Sequence, residues 1–127
     1  MPASQFVQLA GQACSKVVVS GNSPLPKDGK SALTIVTGTA LATRSALDVI
    51  RSLPQLDAQP TGESQRQMVT DWDQWLANAT AMRSRSFASS DTVLDAWDSA
   101  SQPAYRAAEF FKELSISPCV QLFPSGE

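Results

Sequence analysis

The sequence contains no histidine, and this absence removes several classes of chemistry from the chain. Histidine is the commonest general base near neutral pH and the commonest protein ligand of transition metals. Without it, neither a Ser-His-Asp triad nor a Cys-His nucleophile pair can form among these residues. We therefore predict no catalytic residue, no metal site and no cofactor, and we expect that the chain is not an enzyme.

An excess of charge of one sign is also missing. The chain has 10 basic and 12 acidic residues, which gives a net charge of −2, and it has no run of like charges. Proteins that bind nucleic acids usually present a strongly basic face, which replaces the counterions of the phosphates. We therefore expect no nucleic-acid partner.

Long hydrophobic runs are lacking as well. A helix that spans a bilayer needs about 20 consecutive, predominantly apolar residues. The longest candidates here are Val17–Val19 and Leu33–Val36, and both are fragments of amphipathic patterns. We therefore expect no transmembrane segment in this chain.

The residues that are present suffice for one domain over 1–127. The chain has 127 residues, of which 43% are hydrophobic, and a chain of this size can bury a real core. Its apolar residues recur at alternating steps of three and four, which is the period of an amphipathic helix. This pattern predicts four helices, at about 4–20, 30–53, 63–86 and 91–114.

The predicted helices are joined by short to medium loops, which favours an all-α, up-down-up-down four-helix bundle. Glycine and proline mark two of these loops, at 21–30 and 53–62. Pro103 lies inside the fourth predicted helix, and we expect a kink or a short break near residues 99–102 because proline removes a main-chain hydrogen bond. The tail after Leu114 is expected to be irregular and loosely held, except around Cys119.

Three aspartates share one face of the fourth predicted helix. Asp91, Asp95 and Asp98 would bind a cation only if the third helix supplied another carboxylate. They alternate with the apolar stripe, and such positions usually point to solvent. We therefore expect a solvated face and no metal site.

Three tryptophans occupy the apolar stripes of the third and fourth predicted helices. Trp72 and Trp75 belong to the third helix and Trp97 belongs to the fourth. Aromatic residues at such positions are most often core, but the same residues would also line a ligand pocket between the two helices. A pocket beside the tryptophans would favour ligand binding, and an exposed apolar patch would favour a protein partner.

The two cysteines, Cys14 and Cys119, lie near the two ends of the chain. A disulfide between them requires that the segment after the fourth helix turns back, or that this helix bends at Pro103. Closing so long a loop would stabilise the fold by about 4–5 kcal/mol. Two cysteines without histidine cannot form a zinc site, and the residues before Cys14 lack the charged and apolar regions of a lipoprotein signal. A disulfide and buried free thiols both remain open from the residues alone.

Several features together resemble a group of small actinobacterial extracytoplasmic helical domains of unassigned function. These features are Phe6 followed by Cys14, the Leu53–Pro54 turn after a long helix, a tryptophan-bearing third helix and FFKELSISPC at 110–119. Members of the group are secreted, lipid-anchored or membrane-anchored. Ser115 stands where a glycine usually ends the last helix of the group.

The resemblance implies that Cys14 and Cys119 form a disulfide and that the domain lies outside the cytoplasm. It also implies secretion, or anchoring to the membrane through a segment that is absent from this chain. We expect a non-enzymatic accessory or interaction module with a protein partner at the cell envelope, such as one subunit of a membrane-associated assembly. The alternative is a bundle that binds a small ligand through Trp72, Trp75 and Trp97. The oligomeric state is left open.

Overall fold

The computed structural model describes residues 1–17 and 25–124, and every regular element within these ranges is a helix. The predicted all-α class is therefore confirmed. The seven helices are α1 (Ala3–Ser15), α2 (Gly29–Leu41), α3 (Arg44–Arg51), α4 (Gln65–Met82), α5 (Ser90–Ala100), α6 (Gln102–Glu113) and α7 (Ser117–Val120).

The outer limits of the predicted helices differ from the observed ones. α1 ends at Ser15, and residues 18–24, which include the predicted end of the first helix and part of the first loop, lie outside the described residues. α4 is shorter than the predicted 63–86 at both ends, and a capping box fixes its start. The hydroxyl of Ser64 accepts the main-chain N–H of Gln67, and the side chain of Gln67 accepts the N–H of Ser64.

The helix predicted at 30–53 is divided into two, so the prediction of one continuous helix is wrong. α2 ends at Leu41 and α3 begins at Arg44. Between them, the hydroxyl of Thr43 donates to the carbonyl of Ala40 at 2.7 Å and accepts the indole N–H of Trp72 at 2.9 Å. A threonine hydroxyl that bonds a nearby carbonyl competes with regular helix hydrogen bonding, and here it also satisfies a buried donor.

The helix predicted at 91–114 is also divided, and α5 and α6 meet at Ser101. Pro103 lies in the first turn of α6, where the N–H that it lacks would have no partner within the helix. The buried hydroxyl of Ser101 accepts the indole N–H of Trp75 at 3.2 Å. The four-helix up-down-up-down arrangement, with a kink near Pro103, stays a prediction.

The core is built around α4, which packs against α2, α3, α5 and α6. Trp72, Trp75 and Leu76 on α4 are at most 1% exposed. The ring of Phe111 from α6 meets Trp72 edge-on, with 5.8 Å between the ring centroids. Burying a large apolar side chain contributes about 1.5–3 kcal/mol, so this one helix organises much of the stabilising surface.

The stretch that combines α2 and α3, Gly29–Arg51, is long and apolar enough to cross a membrane by length and composition alone. Core helices of soluble proteins and signal sequences share this length and composition. In this fold, Leu33, Leu47 and Ile50 of the stretch are buried within the domain core. The expectation of no transmembrane segment stays a prediction.

The chain reverses direction after α6 through a Schellman motif. Ser115 adopts a left-handed conformation with φ of 58°. The N–H of Ile116 bonds the carbonyl of Phe111 at 2.9 Å, and the N–H of Ser115 bonds that of Lys112 at 3.1 Å. This reversal is what allows the residues after α6 to return toward α1.

The reversal brings α7 against α1 and joins the two ends of the domain. The sulfurs of Cys14 and Cys119 lie 2.10 Å apart, as a disulfide, and the corresponding Cα atoms are 5.0 Å apart. Ile116, Leu122 and Phe123 are buried. The expectation of a loosely held tail is therefore wrong up to Pro124, and residues 125–127 lie outside the described residues.

The starts of α2 and α5 are held together by main-chain contacts. The N–H of Ser90 donates to the carbonyl of Lys27 at 2.9 Å. A Cβ atom placed on Gly29 would lie only 2.0 Å from the carbonyl oxygen of Phe87. Glycine is therefore required at this position, because any side chain would force the two segments apart.

Candidate functional site

A cavity of about 190 Å³ lies between α2, α4, α5 and the C-terminal residues, and we refer to it as the tryptophan cavity. Its described walls are mainly apolar. Val36 contributes from α2, Trp75 from α4 and Trp97 from α5, while Phe123 contributes from the tail. Apolar, concave surfaces of this kind are the usual form of small-molecule sites.

Two of the three tryptophans singled out by the sequence meet at this cavity. The ring centroids of Trp75 and Trp97 are 5.8 Å apart, with 43° between the ring planes. The orientation of Trp75 is fixed by the hydrogen bond from its indole N–H to Ser101, and its ring also lies 5.5 Å from that of Phe123. The Trp75 wall of the cavity is therefore held by a hydrogen bond, and the Trp97 wall, where this side chain is 9% exposed, is close to solvent.

Trp72 does not line the tryptophan cavity. Its side chain is fully buried, and its ring packs edge-on against Phe111 and Phe123. Its only polar atom donates to the hydroxyl of Thr43 at 2.9 Å. The structure therefore places Trp72 in the core, behind the residues that a ligand would touch.

The polar groups of the described cavity lining are few, and they carry no charge. They belong to Thr39, Thr43 and Gln121. The Thr39 hydroxyl donates to the carbonyl of Ile35 at 2.9 Å, and the Thr43 hydroxyl is used by Ala40 and Trp72. None of the described lining residues has a side chain that titrates near neutral pH, so the cavity offers apolar contact and little acid-base chemistry.

The tail contributes residues to the cavity that the sequence pattern did not predict. Leu122 and Phe123 line the cavity, and Phe123 also lies 5.7 Å from Phe111, with the two rings nearly parallel. The signal that would have found them is the apolar group Val120, Leu122 and Phe123 directly after Cys119. Apolar residues that directly follow a disulfide-bonded cysteine are held close to the core.

The aspartates of α5 are placed as a solvated face. Asp91, Asp95 and Asp98 are all exposed, and Asp98 accepts the phenolic O–H of Tyr105 at 2.7 Å. Within 1–17 and 25–124, no group of three or more acidic or cysteine side chains is arranged to hold a metal ion. The geometry of these described residues thus offers no metal centre.

A carboxyl pair lies between the start of α4 and α6. Glu63 is only 9% exposed, and its Oε2 has no hydrogen-bond partner among the described residues. Burial, together with the adjacent Asp71 carboxyl, raises the pKa of Glu63 to about 7. Arg106 lies on the other side of the pair, with its Nη2 3.4 Å from Oδ1 of Asp71. When it is protonated, Glu63 can donate to Asp71, which satisfies the buried oxygen.

The pocket that contains Glu63, Asp71 and Arg106 shares no lining residue with the tryptophan cavity. The two sites therefore present different chemistry, one titratable and one apolar.

Comparison of the chain with protein-family models, with curated proteins and with solved structures gave no match.

Proposed function

We propose that this chain is a non-catalytic binding domain that holds a small apolar molecule, or the apolar end of a larger one, in the tryptophan cavity. The observation that carries the proposal is the cavity itself, which is walled by Trp75, Trp97, Val36 and Phe123. In this proposal the ligand packs beside the rings of Trp75 and Trp97 and does not contact Trp72, which lies in the core.

The volume of the cavity limits the size of the ligand. An engineered apolar cavity of about 150 Å³ in another protein stays dry and binds benzene. The tryptophan cavity, at about 190 Å³, is slightly larger. We therefore infer that it accommodates one aromatic ring or a short aliphatic chain, with the rest of a larger ligand outside the mouth.

The proposal of a non-enzymatic role rests on the available side chains. The chain has no histidine, and the described cavity lining has no carboxylate, amine or guanidinium group. General acid-base catalysis needs a titratable group within hydrogen-bonding reach of the reacting atoms. An apolar cavity without one is suited to binding.

The compartment that we propose is extracytoplasmic. The Cys14–Cys119 bond supports it, because structural disulfides form and persist mainly in oxidising compartments. The resemblance to actinobacterial extracytoplasmic domains agrees with this placement. We also propose that α2–α3 and α5–α6 act as two divided members of an up-down-up-down four-helix bundle over 1–127, with a kink near Pro103.

A binding titration tests the ligand. Toluene and 1-hexanol serve as probes, and the indole N–H signals are followed by NMR. We expect saturable shifts at Trp75 and Trp97 and little change at Trp72, which acts as an internal control. The variant Val36→Phe should fill the cavity and abolish the shifts, whereas Val49→Phe, at an exposed position on α3, should preserve them.

The absence of saturable shifts with both probes would overturn the ligand proposal. Equal loss of binding in the two phenylalanine variants would do the same, because it would show that the effect is not local to the cavity. Thermal unfolding of each variant checks that Val36→Phe remains folded.

A second candidate is a protein-interaction module of a membrane-associated assembly, and a specific surface favours it. Ile35 lines the tryptophan cavity and is 41% exposed. Leu94 is 43% exposed and lies one helical turn before Trp97. An apolar side chain of a partner would then fill the cavity in the manner of an interface anchor.

Site-specific photo-crosslinking in the native membrane distinguishes the two candidates. A photoreactive residue at position 94 should yield one discrete adduct, and the same residue at position 49 should not. A discrete adduct from position 94 that is lost in Ile35→Asp supports the partner, and its absence leaves the small ligand as the occupant.

The compartment has its own test. Intact mass measured after thiol alkylation without reductant should show no alkylated cysteine in the purified native protein. Two alkylated thiols would contradict the extracytoplasmic placement, independently of the result for ligand binding.

A further inference from the structure

A second cavity, of about 490 Å³, lies where the segment after α4 meets the first turns of α2, and we refer to it as the cationic groove. Three of its lining residues carry positive charge. Lys30 comes from α2, and Arg83 and Arg85 follow α4. The remaining walls are formed by hydroxyl and apolar side chains, Leu33, Thr34, Ser84, Ser86 and Phe87.

The charge of the groove differs from that of the whole chain. The chain carries a net charge of −2, yet the described lining contains no carboxylate. Outside the groove, Arg51 contacts Asp73 and Arg106 contacts Asp71, whereas Arg44 and Arg66 form no ion pair with the described residues. None of the ion pairs in the described ranges involves a residue of the cationic groove.

The two guanidinium groups of the groove are held in place by neighbouring residues. The Nε of Arg83 donates to the hydroxyl of Thr37 at 3.0 Å, and Thr37 is fully buried. The guanidinium carbon of Arg85 lies 4.9 Å from the ring centroid of Phe87. A guanidinium over a ring keeps its in-plane N–H donors free, so Arg85 can still bind a ligand through several hydrogen bonds. Arg83 uses its Nε in the bond to Thr37, which leaves its terminal N–H groups for a ligand.

Lys30 is placed where the helix itself disfavours a cation. It is the second residue of α2, at the positive end of the helix dipole, and the first turn contains no acidic residue. The nearby Asp28 caps the helix by accepting the N–H of Ser31 at 2.9 Å, and its carboxylate does not line the groove. The pKa of Asp28 is lowered by the main-chain N–H of Ser31 and, to a smaller extent, by the positive charge of Lys30, so the start of α2 compensates this lysine in part.

We propose that the cationic groove binds a phosphate group. Arginine forks match the geometry of phosphate oxygens, and a lysine adds a point charge. A bound dianion would place negative charge beside the three cations that line the groove. This site shares no lining residue with the tryptophan cavity and does not depend on the function proposed for it.

The competing explanation assigns the two arginines to the end of α4 alone. Cations at the C-terminal end of a helix stabilise it through the helix dipole, and Arg83 caps α4 directly. That explanation gives no role to Lys30, which belongs to a different helix and lies at the opposite dipole end. Lys30 is therefore the residue whose substitution separates the two explanations.

Titration with inorganic phosphate, followed by two-dimensional NMR of the full chain, measures the affinity. We expect saturable shifts at the groove residues, with a dissociation constant that rises with salt. Lys30→Gln and Arg85→Gln should each weaken binding by about tenfold, which corresponds to one lost charge-assisted contact of about 1.4 kcal/mol. Arg85→Lys should also weaken it, because the lysine keeps the charge but loses the fork.

Arg44→Gln is the matched control. It removes the same charge from an exposed position on α3, outside the groove lining, and should change the affinity less than about twofold. Thermal unfolding verifies that each variant is folded.

The phosphate can belong to a soluble molecule or to a lipid headgroup, and two arms of the experiment separate these sources. Glycerol 3-phosphate represents the soluble source, and vesicles of phosphatidylglycerol, compared with phosphatidylcholine, represent the lipid. Binding of the soluble probe alone assigns a soluble ligand, whereas cosedimentation that requires phosphatidylglycerol and Lys30 assigns a lipid surface.

The proposal is overturned if none of the three phosphate probes binds in a saturable manner. It is also overturned if acetate binds as tightly as phosphate, or if Arg44→Gln weakens binding as much as Lys30→Gln. Either result would show a general effect of positive charge and no phosphate site.

Discussion

Two junctions close this fold, and they do so by different means. At the first junction, α7 packs on α1 and the Cys14–Cys119 bond joins them. At the second, the starts of α2 and α5 meet through main-chain contacts, and Gly29 lies against the carbonyl of Phe87. The first junction is covalent, whereas the second depends on a close approach that only glycine permits.

The difference shows that two segments can be joined by an effect on the unfolded state or by a contact in the folded state. A disulfide acts mainly by restricting the unfolded chain, and its effect grows with the length of the loop that it closes. A close main-chain approach has no counterpart in the unfolded chain, so the clash of an added side chain raises the free energy of the folded state.

The largest expected effect comes from removing the covalent junction. The double variant Cys14→Ser/Cys119→Ser should lower the free energy of unfolding by about 4–5 kcal/mol, because the bond spans 105 residues. Urea unfolding of the variant and of the parent measures the difference. A loss below about 1 kcal/mol would show that α7 holds to α1 through packing alone.

The next largest effect comes from the second junction. Gly29→Ala should lower the free energy of unfolding by about 3 kcal/mol, because its Cβ would lie 2.0 Å from the carbonyl oxygen of Phe87. Gly11→Ala is the matched control in α1. Its Cβ would lie 3.9 Å from a methyl carbon of Ile116, which is an ordinary contact, so stability should be unchanged or slightly higher.

Combining the two junction variants sharpens the comparison. If the junctions are independent, the losses from Gly29→Ala and from the cysteine substitutions should add within about 0.5 kcal/mol. A deviation larger than that in urea unfolding would mean that the two junctions are coupled through the core.

A smaller effect depends on pH and comes from neither junction. At the second junction, the main-chain N–H of Ser31 lowers the pKa of Asp28 below its ordinary value of 3.8. Burial, followed by Asp71, instead raises the pKa of Glu63 from 4.5 to about 7. The folded state thus binds more protons than the unfolded state between these values, and stability should fall as the pH rises from 4.5 to 7.

The size and origin of this pH effect can be measured. Asp71, Arg66 and Arg106 face Glu63, and the exposed arginines screen it, so we expect a loss of about 1–2 kcal/mol across the window. Urea unfolding at pH 5, 6 and 7.5 checks this decline. In Glu63→Gln the slope should disappear, and an unchanged slope in that variant would contradict the assignment to Glu63.

The smallest effect concerns the turn that makes the first junction possible. Ser115→Gly should raise the free energy of unfolding by about 1 kcal/mol, because Ser115 adopts a left-handed conformation with φ of 58°. Thermal unfolding, compared with Ser117→Gly at the start of α7, measures the gain. A Ser115→Gly variant less stable than the parent would indicate that the serine makes a contact that offsets its backbone strain.

The two helix divisions differ in how far the sequence predicts them. Pro103 marks an irregularity in the fourth predicted helix, since proline is visible as a local signal. Thr43 gives no such signal. Its role depends on the indole N–H of Trp72, which is 29 residues away in the sequence and becomes a neighbour only after packing.

The residues of the candidate site were also predicted only in part. The apolar spacing placed Trp75 and Trp97 on facing stripes, and the two rings meet at the tryptophan cavity. The pattern could not separate Trp72 from them, because all three occupy stripe positions. Phe123 was missed because its place beside Trp72 and Trp75 is set by the reversal at Ser115 and by the disulfide.

By itself, the sequence determined the helical class, the apolar faces of the helices and the residue types available for chemistry. These properties follow from local spacing and composition, which act between residues close in the chain. The tertiary structure decided where the helices divide, which tryptophans face the tryptophan cavity and which charges gather in the cationic groove. Those features depend on hydrogen bonds, aromatic contacts and charges between residues far apart in the chain, and they exist only once the core is packed.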